Sequence, residues 1–363
     1  MAIKGDVIEG TMDIVEGQNE NQNKLTAGKL LFKNMRDDYN LAPVLAEYGI
    51  DASNKLFDNR YSICGIMGKG ERGFVVAAVD NVVSHDFCAL KIIFPYISER
   101  PHLQERIVRV VDLSRSLNHK NIVGIREVGR DENNLLYYVM DLVDGWSLER
   151  ILHDERYNEL SFPQVLYILS EIASALVYAH RVAGIIHRDV NPSNILIDDD
   201  GHVMLTDFSL AKELEEKNGL SDTGEVVGRL NYMSPRIFRG MKDYDISCDI
   251  YSFGILAYEL CTGSCPFQIP DWTAIARENN ECKLPKFYGK AKHYPAWFHT
   301  FIERCISQDE KHRFFAAEQL VFFLNDYIKS LDPSVFELVG TEIRREVLRE
   351  MTRVGSLEKP RVA

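Results

Sequence analysis

The sequence predicts an α+β fold of two lobes, in which a small β-rich lobe precedes a larger, mainly helical lobe. Three short apolar runs, 61–66, 74–79 and 87–94, are separated by Gly, Asn and Asp turns, which is typical of antiparallel strands. From residue 162 onward most apolar residues recur at helical spacing. We therefore expect a small antiparallel sheet with one helix in the first lobe and a helical second lobe.

The remaining elements follow the same two periods. Residues 103–117 have apolar side chains at helical spacing, and residues 122–128 and 135–142 are predicted strands. A long amphipathic helix is predicted over residues 162–183, and it ends at Gly184, a residue favoured just past a helix C-terminus. Four further helices are predicted at 249–262, 272–279, 297–305 and 316–330.

Composition and charge exclude several classes of protein. The 363 residues are 45% apolar and 26% charged, which is ordinary for a globular chain. A net charge of −12 disfavours general binding to nucleic acid or to an anionic membrane. Apolar runs such as 74–79 are much shorter than the roughly 18 residues of a membrane-spanning helix. We expect no nucleic-acid partner and no integral membrane segment.

Cysteine usage and the first residues predict a cytoplasmic location. Residues 1–17 have acidic side chains and no apolar core of a signal peptide. The seven cysteines include no CxxC pair, so reduced and buried thiols are expected in preference to disulfides or a zinc site.

Three regions are expected along the chain. Residues 1–57 form a polar N-terminal extension that is expected to be partly disordered. Residues 58–330 form the folded domain, with a first lobe over 58–142 and a second lobe over 143–330. Residues 331–363 form a tail with a predicted amphipathic helix. For each extension, packing on the folded domain and binding to a partner stay open alternatives.

A glycine-rich segment lies between the first two predicted strands. Residues 67–75 read MGKGERGFV and place Gly68, Gly70 and Gly73 in the pattern GxGxxG. Such glycines allow backbone N–H groups to approach phosphate oxygens, although an ordinary turn between strands gives the same pattern. A dinucleotide-binding fold needs a helix after the third glycine, whereas the apolar run 74–79 indicates a strand. The sequence favours a hairpin that covers phosphates.

Lys91 lies in the next predicted strand, in the sequence Ala89-Leu90-Lys91. A lysine within an apolar strand is costly to bury unless it is paired, and an edge lysine that reaches water is the alternative. Its position one hairpin after the glycines favours a contact with phosphate.

The most specific signal is the sequence IHRDVNPSNIL at residues 186–196. Asp189 can accept the proton of an attacking hydroxyl, and Asn194 can bind a metal ion on the phosphates. Asp207 follows a further apolar run and adds a carboxylate, a ligand that Mg²⁺ prefers. Singly these residues are compatible with a turn, a cap and a strand end. Their joint order indicates phosphoryl transfer.

In these motifs the chain resembles eukaryotic-type serine/threonine protein kinases of the sort also found in bacteria. The resemblance extends over about residues 60–327 and implies the bilobal protein-kinase fold. It also implies ATP with Mg²⁺ or Mn²⁺ as cofactors and a protein substrate. The matching motifs are the glycine loop, Lys91, His187-Arg188-Asp189, Asn194 and Asp207-Phe208.

The resemblance also implies a set of site residues, with ATP between the lobes. Lys91 and Asp189 are the implied catalytic residues, and Asn194 and Asp207 are the implied metal ligands. The residues implied to bind the nucleotide are Met67, Gly68, Gly70, Gly73, Val75, Ala89, Lys91, Met140, Asp141, Leu142 and Leu196.

Two departures from the family pattern concern these catalytic groups. The helix glutamate that pairs with the lysine corresponds to Val110, and a valine cannot form that ion pair. Glu105 and Asp112 are off that helix face, so either would need a shifted helix to pair with the lysine, and Asp207 is the other candidate partner. The lysine that neutralises the γ-phosphate corresponds to Asn191, which can donate a hydrogen bond but has no charge.

Three further departures lie between residues 209 and 236. Ser209 replaces the glycine of Asp-Phe-Gly, and Arg236 replaces the glutamate that pairs with the arginine matched by Arg313. Arg229 replaces a threonine, and we hypothesise that it restores a positive charge near the γ-phosphate. A surface arginine is the alternative.

The same segment contains two candidate phosphorylation sites, Ser221 and Thr223, which match paired hydroxyls that bacterial relatives autophosphorylate. Incidental hydroxyls in a polar loop are the alternative. The predicted function is an ATP-dependent kinase that phosphorylates Ser or Thr of proteins, including itself. The alternatives are a pseudokinase that binds ATP as a scaffold and a small-molecule phosphotransferase on the same fold.

Overall fold

The computed structural model separates the chain into two compact units. The first unit comprises residues 56–98 and 129–142, and the second comprises 100–128 and 143–328. The structure describes residues 56–328 except 71–72, 84–85, 99, 154–159, 209–230, 235–244, 268–283, 308 and 310.

The strands of the first unit belong to a five-stranded sheet with the order β1-β2-β3-β5-β4, of which β4 begins in residues 125–128, outside the range of the first unit. The pairs β1–β2, β2–β3 and β3–β5 are antiparallel, as the sequence predicts. A short helix, α1 (Pro95–Ser98), follows the third strand. The strands are β1 (Tyr61–Gly70), β2 (Gly73–Asp80), β3 (Phe87–Ile93), β4 (Ile125–Arg130) and β5 (Leu136–Met140).

Alternation along the strands gives this sheet two different faces, because successive side chains of a strand point to opposite sides. One face forms an apolar core that includes Phe74, Val76, Leu90 and Val139. The residues between them in the strands therefore share the opposite face. The strand β2 has no helix after Gly73, so the hairpin interpretation is confirmed and the dinucleotide-binding fold is excluded.

The second unit is mainly helical, as predicted, and has one large core. A small antiparallel sheet of order β6-β7-β8 lies within it. Its strands are β6 (Gly145–Ser147), β7 (Ile195–Asp198) and β8 (Val203–Leu205). Its helices are α2 (Pro101–Ser114), α3 (Leu148–His153), α4 (Phe162–Tyr178), α5 (Ser247–Thr262), α6 (Ala296–Ile306) and α7 (Ala317–Ile328).

Helix α4 forms the centre of this core, and local chemistry defines both of its ends. Ser161 caps it, with the Gln164 side chain accepting a hydrogen bond from the Ser161 N–H at 2.7 Å. A π-helical turn, Ala179–Ala183, continues it to Gly184, whose φ of 66° is left-handed. Among the described residues, this helix is long and apolar enough to span a membrane by length and composition. Burial in the core of a folded unit accounts for the same pattern.

Helix α2 carries two of the three acidic residues considered as partners of Lys91. Glu105 and Asp112 are both exposed, and Asp112 lies 3.6 Å from Arg115 of the following turn. The helix begins at Pro101, a residue favoured at a helix start, and it ends at Ser114, before the end of the predicted range 103–117. The helix predicted at 272–279 and the extensions at 1–55 and 331–363 lie outside the described residues, as do Ser209, Ser221, Thr223, Arg229 and Arg236.

Candidate active site

The glycine loop joins β1 to β2, and its three glycines have different surroundings. The two strands pair as far as Gly70 and Gly73. A Cβ atom at Gly68 would meet nothing within 4 Å, and one at Gly70 would meet only the Gly73 carbonyl oxygen, at 3.7 Å. A Cβ at Gly73 would lie 2.1 Å from the Ile92 carbonyl oxygen. The first two glycines leave open space beside the backbone, and the third allows close strand packing.

Predicted nucleotide contacts lie on the sheet face opposite the apolar core. Val75 is directly opposite Lys91 in the β2–β3 ladder, and Ala89 is directly opposite Met140 in the β3–β5 ladder. Alternation places all four on one face. Met67 and Leu142 pack against a small cluster formed by Cys64, Ala77 and Val79, and Asp141 is exposed just past the end of β5. The first unit thus places Val75, Ala89, Lys91 and Met140, four of the implied nucleotide contacts, on one face of the sheet.

Lys91 is buried in the sheet, with 8% of its surface exposed. Its Nζ lies 6.0 Å from the centroid of the Tyr138 ring, which is opposite it in β5. An ammonium at this distance is attracted by the ring quadrupole, so Tyr138 contributes to holding the lysine side chain. Tyr138 is not among the residues predicted from the sequence. Its position directly opposite Lys91 in the β3–β5 ladder is the feature that identifies it.

In the second unit, a buried carboxylate anchors the loop that contains Asp189. Asp249, in the first turn of α5, is fully buried. Its Oδ2 accepts hydrogen bonds from the His187 N–H at 2.8 Å and from His180 Nε2 at 2.7 Å, and its Oδ1 accepts one from the Arg188 N–H at 2.7 Å. The two backbone donors fix the chain immediately before Asp189.

His187 joins this loop to the segment that contains Asp207. Its Nε2 donates to the Thr206 carbonyl oxygen at 2.9 Å, and its Nδ1 accepts from the Asp189 N–H at 3.2 Å. Its ring lies edge-to-face with Phe208 at 4.5 Å. Arg188 and Asp207 have φ of 70° and 61°, a region that is strained for residues other than glycine. Such strain persists only where the surroundings impose it, which these contacts do.

Two asparagine side chains hold the carboxylate of Asp189. Asn191 Nδ2 donates to Asp189 Oδ1 at 2.7 Å, and Asn194 Nδ2 donates to Asp189 Oδ2 at 2.9 Å. Both amides also donate to the Asp189 carbonyl oxygen, at 3.1 and 2.8 Å. Asp189 itself is half-buried and keeps contact with solvent. These contacts fix the orientation of the Asp189 carboxylate at the surface of the unit.

Asn194 and Asp207, the two residues predicted to bind a metal ion, lie in segments whose backbones are hydrogen-bonded to each other. The Thr206 N–H donates to the Asn194 carbonyl oxygen at 2.9 Å, which brings Asp207 next to Asn194. Because Asn194 Nδ2 is used on Asp189, its Oδ1 is the atom left for a metal. An amide oxygen and a carboxylate are hard ligands that suit Mg²⁺ with substrate phosphates. The donor chemistry therefore fits the implied cofactor.

Leu196 lies in β7 opposite Ser147 and Met204 and is half-buried. It is two residues from Asn194, so the second unit places the implied adenine contact close to the implied metal ligand.

A second buried polar contact anchors the short described piece at 231–234. The Tyr232 hydroxyl donates to Glu259 of α5, and the Tyr232 carbonyl oxygen accepts from Ser252 Oγ at 2.8 Å. Burial is the main cause that raises the pKa of Tyr232 and of Glu259, so both groups stay protonated more readily than usual. The sequence analysis missed this pair and His180, because their partners are distant in the chain.

The chain is similar in sequence to known proteins. A family described as "Protein kinase domain" matches residues 61–322. The probable serine/threonine-protein kinase PknB of Lactococcus lactis is 32% identical over 267 residues, which cover 74% of this chain and 42% of that protein. The serine/threonine-protein kinase PrkC of Bacillus subtilis is 32% identical over 267 residues, which cover 73% of this chain and 40% of that protein.

A solved structure has the same fold. The kinase domain of Mycobacterium tuberculosis PknI has a TM-score of 0.59 at 23% identity, covering 76% of this chain and 98% of that domain. The chain spans about two fifths of the length of the curated relatives described above.

Proposed function

The chain belongs to the protein kinase family, and on that premise we propose that it transfers the γ-phosphate of ATP to serine or threonine hydroxyls of protein substrates. The observation that carries the proposal is the loop at residues 187–194. There Asp189 has an amide donor on each carboxylate oxygen, and Asn194 also offers an oxygen for a metal ion. A carboxylate held beside a metal ligand is the arrangement that phosphoryl transfer to a hydroxyl needs.

In the proposed reaction each residue has one role. Asp189 accepts the proton of the substrate hydroxyl as the substrate oxygen bonds to the γ-phosphorus and the bond to ADP breaks. Asn194 and Asp207 would hold the metal ion, and Lys91 would contact the phosphates. The space beside Gly68 and Gly70 would let phosphate oxygens approach the backbone N–H groups of this loop. Bound ATP with Mg²⁺ supplies the phosphoryl group, and the metal neutralises its charge.

The proposal includes finer points that come from the sequence. Mg²⁺ is the favoured metal, with Mn²⁺ as the alternative, because the ligands are oxygen atoms. Arg229 is proposed to supply positive charge near the γ-phosphate, and Ser221 and Thr223 are proposed autophosphorylation sites. We also propose a cytoplasmic location, and partner binding through the N- and C-terminal extensions.

A second function, ATP binding without transfer, is favoured by two specific residues. Val110 occupies the position of the family's helix glutamate, and Asn191 occupies the position of a lysine. Neither residue supplies the charge that the family uses at its position. Both functions predict nucleotide binding, and they differ in whether the γ-phosphate leaves.

The test is transfer of labelled phosphate from ATP to the chain itself and to a generic protein substrate, with sites mapped by mass spectrometry. We expect transfer by the wild type and a loss of at least about a hundredfold in Asp189→Asn and Lys91→Met. Asp326→Asn and Lys311→Met, at exposed positions of the second unit, are the matched controls and should retain activity. Nucleotide binding with no transfer by the wild type would favour the second function.

A further inference from the structure

Asn191 has no hydrogen-bonding capacity left for a nucleotide. Asn191 is buried, with 3% of its surface exposed. Its Nδ2 donates both hydrogens to Asp189, at 2.7 Å to Oδ1 and 3.1 Å to the carbonyl oxygen. Its Oδ1 accepts from the Ser193 N–H at 2.9 Å and from the Ser193 Oγ at 2.5 Å. An asparagine amide has two donor hydrogens and two acceptor lone pairs, and all four are used.

The contact with Asp189 is the one that bears on chemistry. Asn194 donates to Oδ2 at 2.9 Å, so Asn191 supplies the separate donor to Oδ1. Hydrogen bonds to an ionised carboxylate are stronger than neutral ones. Because each oxygen accepts from a different amide, the two contacts together fix the plane of the carboxylate.

We propose, on the basis of the proposed function, that Asn191 is a positioning residue for phosphoryl transfer. It orients the Asp189 carboxylate toward the substrate hydroxyl and makes no contact with the γ-phosphate. Asn191 thus keeps a donor to the aspartate where the resemblance implies a lysine that neutralises the γ-phosphate, and it leaves that neutralisation to other groups.

A purely structural role is the competing explanation, and different atoms carry it. Asn191 caps the short 3₁₀ turn Pro192–Asn194 by accepting from the Ser193 N–H. That role uses Oδ1, whereas the proposed role uses Nδ2. Substitutions that keep one function and remove the other therefore separate the two.

The first experiment compares Asn191→Ser and Asn191→Lys in steady-state phosphate transfer. Serine keeps an oxygen acceptor for the cap and removes the amide donor, whereas lysine keeps a donor and removes the acceptor. We expect Asn191→Ser to lower kcat about ten- to a hundredfold, with KM for ATP within about twofold of the wild type. We expect Asn191→Lys to keep kcat within about threefold of the wild type, or to exceed it, despite a lower thermal midpoint. Asn118→Ser, at an exposed position of the same unit, is the control.

Two kinetic outcomes would overturn the proposal. Wild-type kcat in Asn191→Ser would show that the donor is not needed. A fall in Asn191→Lys as large as that in Asn191→Ser, following the thermal midpoint, would assign the residue a structural role. A rise in KM for ATP with unchanged kcat would indicate a contact with nucleotide, which also contradicts the proposal.

A wild type that transfers no phosphate would contradict the proposed function. A second measurement still tests the contact between Asn191 and Asp189 in that case. The side-chain amide signal of Asn191 in a ¹⁵N-labelled sample is assigned by its loss in Asn191→Ser. We expect this signal to shift and to exchange faster with water in Asp189→Ala, and to stay in place when ATP and Mg²⁺ are added. An unchanged amide signal in Asp189→Ala, or a large shift of this signal with ATP and Mg²⁺, would contradict the proposed role of Asn191.

Discussion

The three glycines of the loop at residues 68–73 share a sequence pattern but differ in the space that surrounds each of them. Gly68 has open space where a side chain would begin, whereas Gly73 lies against the carbonyl oxygen of Ile92 in the next strand. The pattern alone does not distinguish a glycine that serves a ligand from one that serves strand packing. The structure distinguishes the surroundings of the two glycines, and each predicts its own experimental result.

Alanine substitutions at these two positions should change different quantities, stability at Gly73 and nucleotide affinity at Gly68. Gly73→Ala forces β2 away from β3 at Ile92, and we expect a loss of about 1–3 kcal/mol in the free energy of unfolding. Gly68→Ala meets no atom, so stability should be unchanged. Because its Cβ stands beside the backbone N–H groups proposed to bind phosphate, we expect the affinity for a non-hydrolysable ATP analogue to fall about tenfold. Urea denaturation and titration calorimetry measure the two quantities.

The substitutions are controls for each other. Equal destabilisation by both would contradict the open space at Gly68. Unchanged nucleotide affinity in Gly68→Ala would remove this glycine from the proposed phosphate contacts, while leaving the fold as described.

At the scale of elements, the β1–β2 hairpin is fixed at its far end from the glycine loop. Arg60, just before β1, donates to both carboxylate oxygens of Asp80 at the end of β2, at 2.9 and 2.7 Å. Asp80 also accepts from the backbone N–H groups of Val82 and Val83. The hydrogen bonds from Arg60 are the largest cause that holds the pKa of Asp80 far below its ordinary value of 3.8.

This pKa shift predicts how stability depends on pH. Asp80 takes up a proton more readily in the unfolded chain than in the folded one, so its contribution is complete above the unfolded pKa and falls as pH drops below it. We expect Asp80→Asn to lose about 2 kcal/mol of unfolding free energy at pH 7. The difference from the wild type should shrink at pH 3.

Urea denaturation at the two pH values measures this difference, with Glu132→Gln as the control at an exposed position of the same unit. A difference that stays constant between pH 7 and pH 3 would mean that the ionised form of Asp80 does not stabilise the hairpin.

Element type was predictable from the sequence wherever a period extended over enough residues. The hairpin strands and helices α4, α5, α6 and α7 occur where the apolar pattern predicts them. The elements α1, β6 and α3 have three to six residues, which is too few to show a period. Strand β6 exists because its backbone pairs with β7, fifty residues later in the chain. That pairing has no local signal.

At the scale of the whole molecule, the linear motifs predict candidate site residues but not the contacts that orient them. The order of Lys91, Asp189 and Asn194 was readable because it is a linear pattern. The anchoring of that loop by Asp249 joins residues more than sixty positions apart and required coordinates. The saturation of Asn191 also required coordinates, because a sequence shows which donors exist and not which acceptors they meet.

The two compact units each contain proposed nucleotide-binding residues, Lys91 in the first and Asp207 in the second. The proposed function assigns a phosphate contact to the first unit and a metal ligand to the second, so a substitution in either unit should weaken nucleotide binding. We expect ATP with Mg²⁺, at about a hundredfold excess over Kd, to raise the thermal midpoint by roughly 5–10 °C. Lys91→Met and Asp207→Asn should each remove most of that rise, and EDTA should reduce it.

Lys311→Met and Asp326→Asn make the same chemical changes at exposed positions and should leave the rise intact. A rise that persists in both Lys91→Met and Asp207→Asn would place the nucleotide elsewhere and contradict the site. A full rise in a wild type that transfers no phosphate would identify a nucleotide-binding pseudokinase. The lost step would then be assigned to the uncharged residues at positions 110 and 191, since the residues that bind the nucleotide would have been shown to work.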